Sequence, residues 1–243
     1  MARALVSLAH PKMLLLMIWP LFLSALLWIA LAFAFWTQAS QWIDVQLKST
    51  DMVQWLMTVW PFALVAAHLA GVILVMITVP LVLVVAVVLT SIFAMPVMVS
   101  HVATREYPLL AALQGGSFSG SLWNAVLAVL VFLFLVAVTL PLWLFAIFWP
   151  VLPVLLFAYL NQRMFRYDAL AEHASAAEIA TLTQRHRFEY FGLGVIVALF
   201  SHIPILGFFM PVYAGLAFIH FSLGRLKKLR DEKLNIAPSL ASS

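Results

Sequence analysis

The chain has 243 residues, 65% of them hydrophobic and 9% charged, with a formal net charge of +4 and no cysteine. Soluble domains run at roughly 45–50% apolar and 25% charged residues. Here 13 basic and 9 acidic side chains cannot clothe a soluble globule of this size, so the composition is that of an integral membrane protein, and the absence of cysteine excludes disulfides, thiol nucleophiles and thiolate metal sites.

Taken in order, residues 13–36 form an apolar run behind basic Arg3 and Lys12. It is too long for a cleavable signal core of about 7–15 residues, so it reads as a retained spanning helix. Trp19, Trp28, Trp36 and Trp42 fit either interfacial positions or helix packing. Residues 37–54 are a polar connection with Asp44, Lys48 and Asp51. A long helical block follows at 55–100, interrupted by Pro61, Gly71, Pro80 and Pro96. One long helix and two separate spans both fit that block. Residues 101–121 carry Arg105, Glu106 and a Gly/Ser cluster that reads as a loop.

Two late blocks share one pattern, an apolar arm, a proline-marked break and a second apolar arm. The first is 122–160, with Pro141, Pro150 and Pro153; the second is 190–224, with HIPILGFFMPV at its centre. In the second block the arms 191–203 and 211–223 each reach about 20 Å as helices, short of the ~30 Å hydrocarbon core. A kinked, steeply tilted helix and a hairpin both use such arms. Pro204 removes a helical hydrogen bond, Gly207 permits a turn and Pro211 suits a first helical turn, an order that favours a hairpin with His202, Pro204, Gly207 and Pro211 at its tip.

Loop charge points the same way. The linker 161–189 carries Arg163, Arg166, Arg185 and Arg187, and the basic tail 225–243 carries Arg225, Lys227, Lys228, Arg230 and Lys233. The positive-inside rule places both in the cytoplasm, so the block between them enters and leaves on one face. The expected fold is therefore a single all-α membrane domain over 1–243, with two long transmembrane helices and two partly penetrating helical hairpins. N- and C-termini are expected in the cytoplasm. Non-helical tips at membrane depth need protein or water around them, which fits packing across subunits of a homo-oligomer and fits a permeation path.

No nucleophile elbow, P-loop or HExxH motif occurs, so neither an enzyme nor a cofactor is expected. The basic balance is explained by cytoplasmic loops rather than by nucleic acid. Acidic residues fall only in the connections and the tail, which argues against a proton- or sodium-coupled transporter. His68, His202 and His220 lie in apolar zones, where packing is the ordinary role and proton relay the sharper one. Arg163 and Arg166 suit an oxyanion or phospholipid head groups. Ser175 and Glu178 match a capping box and predict a short helix. Pro11 and Lys12, at the start of the first helix, supply the ingredients of an anion site or of a positive anchor.

The segments RHRFEYFGLG and SHIPILGFFMPVYAGLAF, with HPKMLLLMIWPL near the N-terminus, resemble the membrane family that includes etoposide-induced proteins and bacterial CysZ-type sulfate permeases. Arg185, Arg187, Phe191, Gly192, Ile203, Pro204, Pro211 and Val212 stand at matching places, and Tyr167 and Asp168 fall where the permeases have a Tyr/Asp-containing linker. The resemblance implies two long helices with two part-way hairpins, oligomers, and sulfate uptake across the bacterial inner membrane. Those permeases tend to carry Gly, an aliphatic residue and Arg after the first proline. Here Pro11 is followed by Lys12, Met13 and Leu14, so membership is implied more firmly than sulfate specificity. The leading expectation is a small-anion permease or channel, sulfate suspected, with Lys12, Arg163, Arg166, Arg185 and Arg187 as substrate-binding residues. The competing one is a non-transport scaffold or lipid-interacting protein.

Overall fold

The computed structural model describes residues 11–60, 62–203, 207 and 209–240. Among these residues the chain is helical and without a strand. We number the helices α1 (Pro11–Lys48), α2 (Asp51–Thr58), α3 (Phe62–Leu89), α4 (Met95–Glu106), α5 (Phe118–Thr139), α6 (Val151–Ala171), α7 (Ala176–Arg185), α8 (Arg187–Ser201) and α9 (Met210–Leu240). A π-helical turn, Thr90–Ala94, joins α3 to α4. It ends two residues before Pro96, whose missing N–H and bulky ring cannot continue a regular α-helical ladder. Gly71 and Pro80 lie inside α3 and do not end it.

Three helical runs, Ile18–Lys48, His68–Glu106 and Phe118–Leu144, are long and apolar enough to cross a membrane, and the chain is an all-helical membrane protein. Two such runs were expected. The third arises because α5 starts ahead of the apolar block, at Phe118, and helical winding continues past Pro141 in the 3-10 turn Leu140–Leu144. Ser117 caps α5 by accepting the Gly120 N–H at 3.0 Å, satisfying one of the orphan donors of the first turn.

The chain divides into two units, residues 21–86 and residues 1–20 with 87–243. Within the first unit, the buried Ser24 hydroxyl donates to the Val82 carbonyl at 2.7 Å, and a Cβ at Gly71 would meet the Trp36 ring. Rising position on α1 thus pairs with falling position on α3, an antiparallel arrangement. A wide cavity of about 670 Å³ is lined by Trp36, Asp44, Lys48 and His68 among others. Lys48 is bonded there to Asp44 one turn away.

The second unit is built round α6. Asn124 donates to the Arg163 carbonyl at 3.0 Å and Phe132 meets Phe157 at a ring separation of 5.6 Å, so α5 and α6 run antiparallel. Ala158 and Val154 cluster with Ala198, and Gly194 lies against the Ala158 backbone, so α8 is also antiparallel to α6. Phe165 faces Phe218, while Leu170 and Leu226 share a cluster, so α9 runs parallel to α6. The core holds Phe165, Tyr190, Phe218, Leu216 and Leu170, all fully buried.

The capping box is formed. The Ser175 hydroxyl accepts the Glu178 N–H at 3.2 Å and Glu178 accepts the Ser175 N–H at 2.8 Å. The Gly/Ser stretch after α4 is a loop that lies along the C-terminal end of α6. Gln114, Gly115 and Gly116 donate their N–H groups to the carbonyls of Glu172, Ala174 and Ala171 at 3.0, 2.8 and 2.9 Å, satisfying acceptors that a helix end leaves open. A Cβ at Gly115 would come within 2.4 Å of backbone atoms and one at Gly116 within 2.5 Å of the Ala171 Cβ, which is why small residues occur there.

Candidate functional site

Polar side chains collect at one end of the second unit, where α4 ends, α5 starts, α6 finishes and α7, α8 and α9 meet. On α6 the sequence leaves its apolar arm at Asn161, and the next two turns carry Gln162, Arg163 and Arg166. Arg163 is half-buried, and its Nε is shielded from solvent without a hydrogen-bond partner. Asn161, 3% exposed, likewise leaves its Oδ1 without a partner. The Arg166 guanidinium lies over the Tyr190 ring at 5.6 Å and donates to the Gln162 side chain at 3.4 Å.

Neither Arg163 nor Arg166 has a carboxylate within ion-pair distance among the described residues. Burial lowers the pKa of Arg166; Tyr190 opposes this, and the charge of Arg163 adds to it. The pair is therefore a half-buried concentration of positive charge without an internal counter-ion.

The other predicted residues have different surroundings. Arg185 is exposed and forks onto Glu232 at 2.7 and 3.4 Å; the hydrogen bond and charge of Glu232 raise its pKa. Arg187 is exposed and stacks on the neighbouring Phe188 ring at 4.6 Å. Lys12 falls in the first turn of α1, and its side chain lies outside the described residues. Thus Arg163 and Arg166 are brought together, whereas Arg185 is engaged by an acid of the tail.

At the far end of α8, His202 is the C-terminal cap residue and its Nδ1 lies 2.7 Å from the Ala198 carbonyl. Gly207 is buried and donates to the Ile203 carbonyl at 2.7 Å, while Pro211 occupies the first turn of α9 and is buried. Pro204 lies outside the described residues. A Cβ at Gly207 would come within 2.6 Å of the Ser201 carbonyl oxygen, so the backbone there folds back closely on the end of α8.

The sequence places Asp168 in the linker and Arg230 in the basic tail without giving either a partner or a role in the site. Asp168, 7% exposed, lies beyond the arginine pair and outside the apolar arm of α6; the Ser91 hydroxyl of the π turn donates to it. Burial pushes its carboxyl up to about 7 against the lowering effect of Ser91 and Ser121. The separation of 77 positions between Ser91 and Asp168 hides the pair from any local motif. Arg230 binds Glu178 at 3.0 and 2.9 Å and donates to the Ala111 and His173 carbonyls at 2.9 and 2.7 Å. Its hydrogen bonds hold the Glu178 carboxyl down at about 2. Glu189 is bonded to Arg225, and Glu106 approaches His220 at 3.3 Å.

Comparison with curated proteins and with solved structures gave no match. The family described as Sulfate transporter CysZ/Etoposide-induced protein 2.4 matches residues 1–211, which include α1 to α8 and the start of α9. That match covers the basic linker and the proline-marked break that carried the resemblance, and the chain belongs to the sulfate transporter CysZ/etoposide-induced protein 2.4 family.

Proposed function

We propose that this protein is a permease for a small oxyanion, with sulfate the first candidate, in a bacterial inner membrane. The observation that carries this reading is the Arg163 and Arg166 pair, half-buried and without a carboxylate partner among the described residues. A planar guanidinium offers forked donors to a tetrahedral or planar oxyanion. A bound anion relieves the mutual repulsion of the two cations and satisfies the bare Arg163 Nε.

Depth supports a part-way hairpin as the setting. Asn124 and Arg163 mark its polar base. From that level α5 runs to Thr139 and α6 starts at Val151, giving α-helical arms of about 18–23 Å at ~1.5 Å per residue, less than the ~30 Å core. On this reading the 3-10 turns Leu140–Leu144 and Ala146–Phe148 belong to the hairpin tip rather than to a third crossing. Tyr190 to Ser201 of α8 adds a second arm of about 17 Å beside it. Two long helices, α1 and the run through α3 and α4, then cross the membrane, and both hairpins enter from the cytoplasmic face with the termini on that face. Copies of the chain assembled together cover the tips.

The test is sulfate flux into proteoliposomes of the purified chain. Uptake above protein-free vesicles supports the permease, and uptake equal to them for sulfate and related oxyanions sinks it. The same arginines at a membrane base also suit phospholipid head groups. A scaffold of that kind predicts no flux and an oligomer whose lipid-dependent stability drops when Arg163 and Arg166 are neutralised.

A further inference from the structure

Beside the Ser91 and Asp168 pair lies a cavity of about 340 Å³, lined by Ser91, Ser117, Ser121, Gln114, Asp168 and Glu172 together with apolar neighbours. One oxygen of Asp168 takes the Ser91 hydroxyl, and the other, Oδ1, is cut off from solvent without a hydrogen-bond partner. The Ser121 hydroxyl also lies within hydrogen-bonding reach of the carboxyl and draws its pKa down, although its geometry does not close a bond to Oδ1. A carboxylate with 7% exposure and a bare oxygen is costly in a protein interior. Helix ends do not remove the cost. The start of α5 contributes at most about half a positive charge, and its Ser117 hydroxyl already accepts the Gly120 N–H.

The cavity lining carries no basic side chain, so an anion is disfavoured there. Its oxygens are carboxylate, hydroxyl and amide carbonyl, the hard donors that bind hard cations. Charge sets the valence. Asp168 is the buried carboxylate, whereas Glu172, the other acid on the lining, is exposed to solvent. Burial pushes the Asp168 carboxyl up to about 7, so a proton neutralises it below that pH, and above it a single positive charge balances the one negative charge left.

We infer that Asp168 Oδ1, with the hydroxyls of Ser91 and Ser121, forms a binding site for a monovalent metal cation, sodium by size and hardness. This site lies apart from the arginine pair in its lining, and its existence does not depend on the anion reading.

The purified full-length chain in detergent tests it through thermal unfolding in NaCl, KCl and choline chloride at equal ionic strength, with no oxyanion present. Sodium is expected to raise the midpoint by about 5 °C at a hundredfold excess over its half-saturating concentration, with potassium and choline giving no shift. Asp168→Asn is expected to abolish the sodium shift. Ser121→Ala, which leaves the carboxylate and the Ser91 bond in place, is expected to raise the half-saturating sodium concentration about tenfold, the loss of one oxygen contact. Equal midpoints in all three salts overturn the site, as does a sodium shift that survives unchanged in Asp168→Asn. If Asp168→Asn does not fold, an unchanged half-saturation in Ser121→Ala overturns it.

Discussion

Arg230 of α9 binds Glu178 of α7 through two nitrogens, at 3.0 and 2.9 Å, and with the rest of its fork holds the Ala111 and His173 carbonyls. One side chain thus ties the post-α4 loop, the end of α6, the capped start of α7 and the tail into one cluster. Replacing Arg230 by Ala leaves Glu178, 6% exposed, without its cationic partner, takes the guanidinium donor from the Ala111 carbonyl and leaves the His173 carbonyl with the Leu113 N–H at 3.3 Å. The expected cost is about 3–5 kcal/mol, read as a lower midpoint in chemical or thermal unfolding. Glu178→Gln keeps an acceptor for Arg230 and is expected to cost less.

Acid tests the same pair. Glu178 has its folded pKa depressed from 4.5 to about 2, so its contribution is present above the unfolded value and is lost as pH falls from about 4.5 to about 2. At ~1.4 kcal/mol per pKa unit the loss approaches about 3 kcal/mol. Unfolding midpoints measured across that window are expected to fall more steeply for the wild type than for Glu178→Gln. Parallel profiles would show that the pair contributes nothing.

Gly194 and Gly192 differ by two positions and predict opposite signs. A Cβ at Gly194 would stand 2.6 Å from the Ala158 carbonyl oxygen, whereas one at Gly192 meets nothing within 4 Å. Gly194→Ala is expected to push α8 off α6 and to destabilise by about 1–3 kcal/mol. Gly192→Ala, in the same helix, is expected to stabilise by about 0.5–1 kcal/mol through helix propensity. Unfolding of the two variants side by side checks both.

Topology has its own readout. Glu106 approaches His220 and a Cβ at Gly224 would lie 3.4 Å from the Tyr107 hydroxyl, so the end of α4 lies beside the middle of α9. Arg105→Cys and Lys233→Cys are therefore expected to react with a membrane-impermeant maleimide from the same face. The chain has no native cysteine to interfere. Labelling of the two from opposite faces would break the arrangement of the second unit within a membrane.

The membrane class and the helical blocks were legible because hydrocarbon demands long uncharged runs, and the capping box because its two partners sit three residues apart. The start of α5 at Phe118 was not, since Ser and Gly there read as a loop until Ser117 is seen to cap the turn. Pro80 did not act as a break, because a helix inside a bilayer keeps its direction where no alternative partner for the backbone exists. At the site, the arginines stood out as charges, but their differences did not. Arg185 finds Glu232 after 47 positions, and Asp168 finds Ser91 after 77. Such pairings depend on which helices become neighbours, and a single sequence does not print that.

Sulfate uptake into proteoliposomes by three variants tests the central claim most directly, with protein-free vesicles as the baseline. Arg163→Gln and Arg166→Gln each remove a forked donor from the unpaired cluster and are expected to reduce uptake at low sulfate by about tenfold, the loss of a charge-assisted bond of ~1.5 kcal/mol. Arg185→Gln, already committed to Glu232, is expected to leave uptake within about twofold of wild type. Wild-type uptake indistinguishable from empty vesicles, or a loss in Arg185→Gln equal to that in Arg163→Gln, would contradict the assignment of anion binding to Arg163 and Arg166.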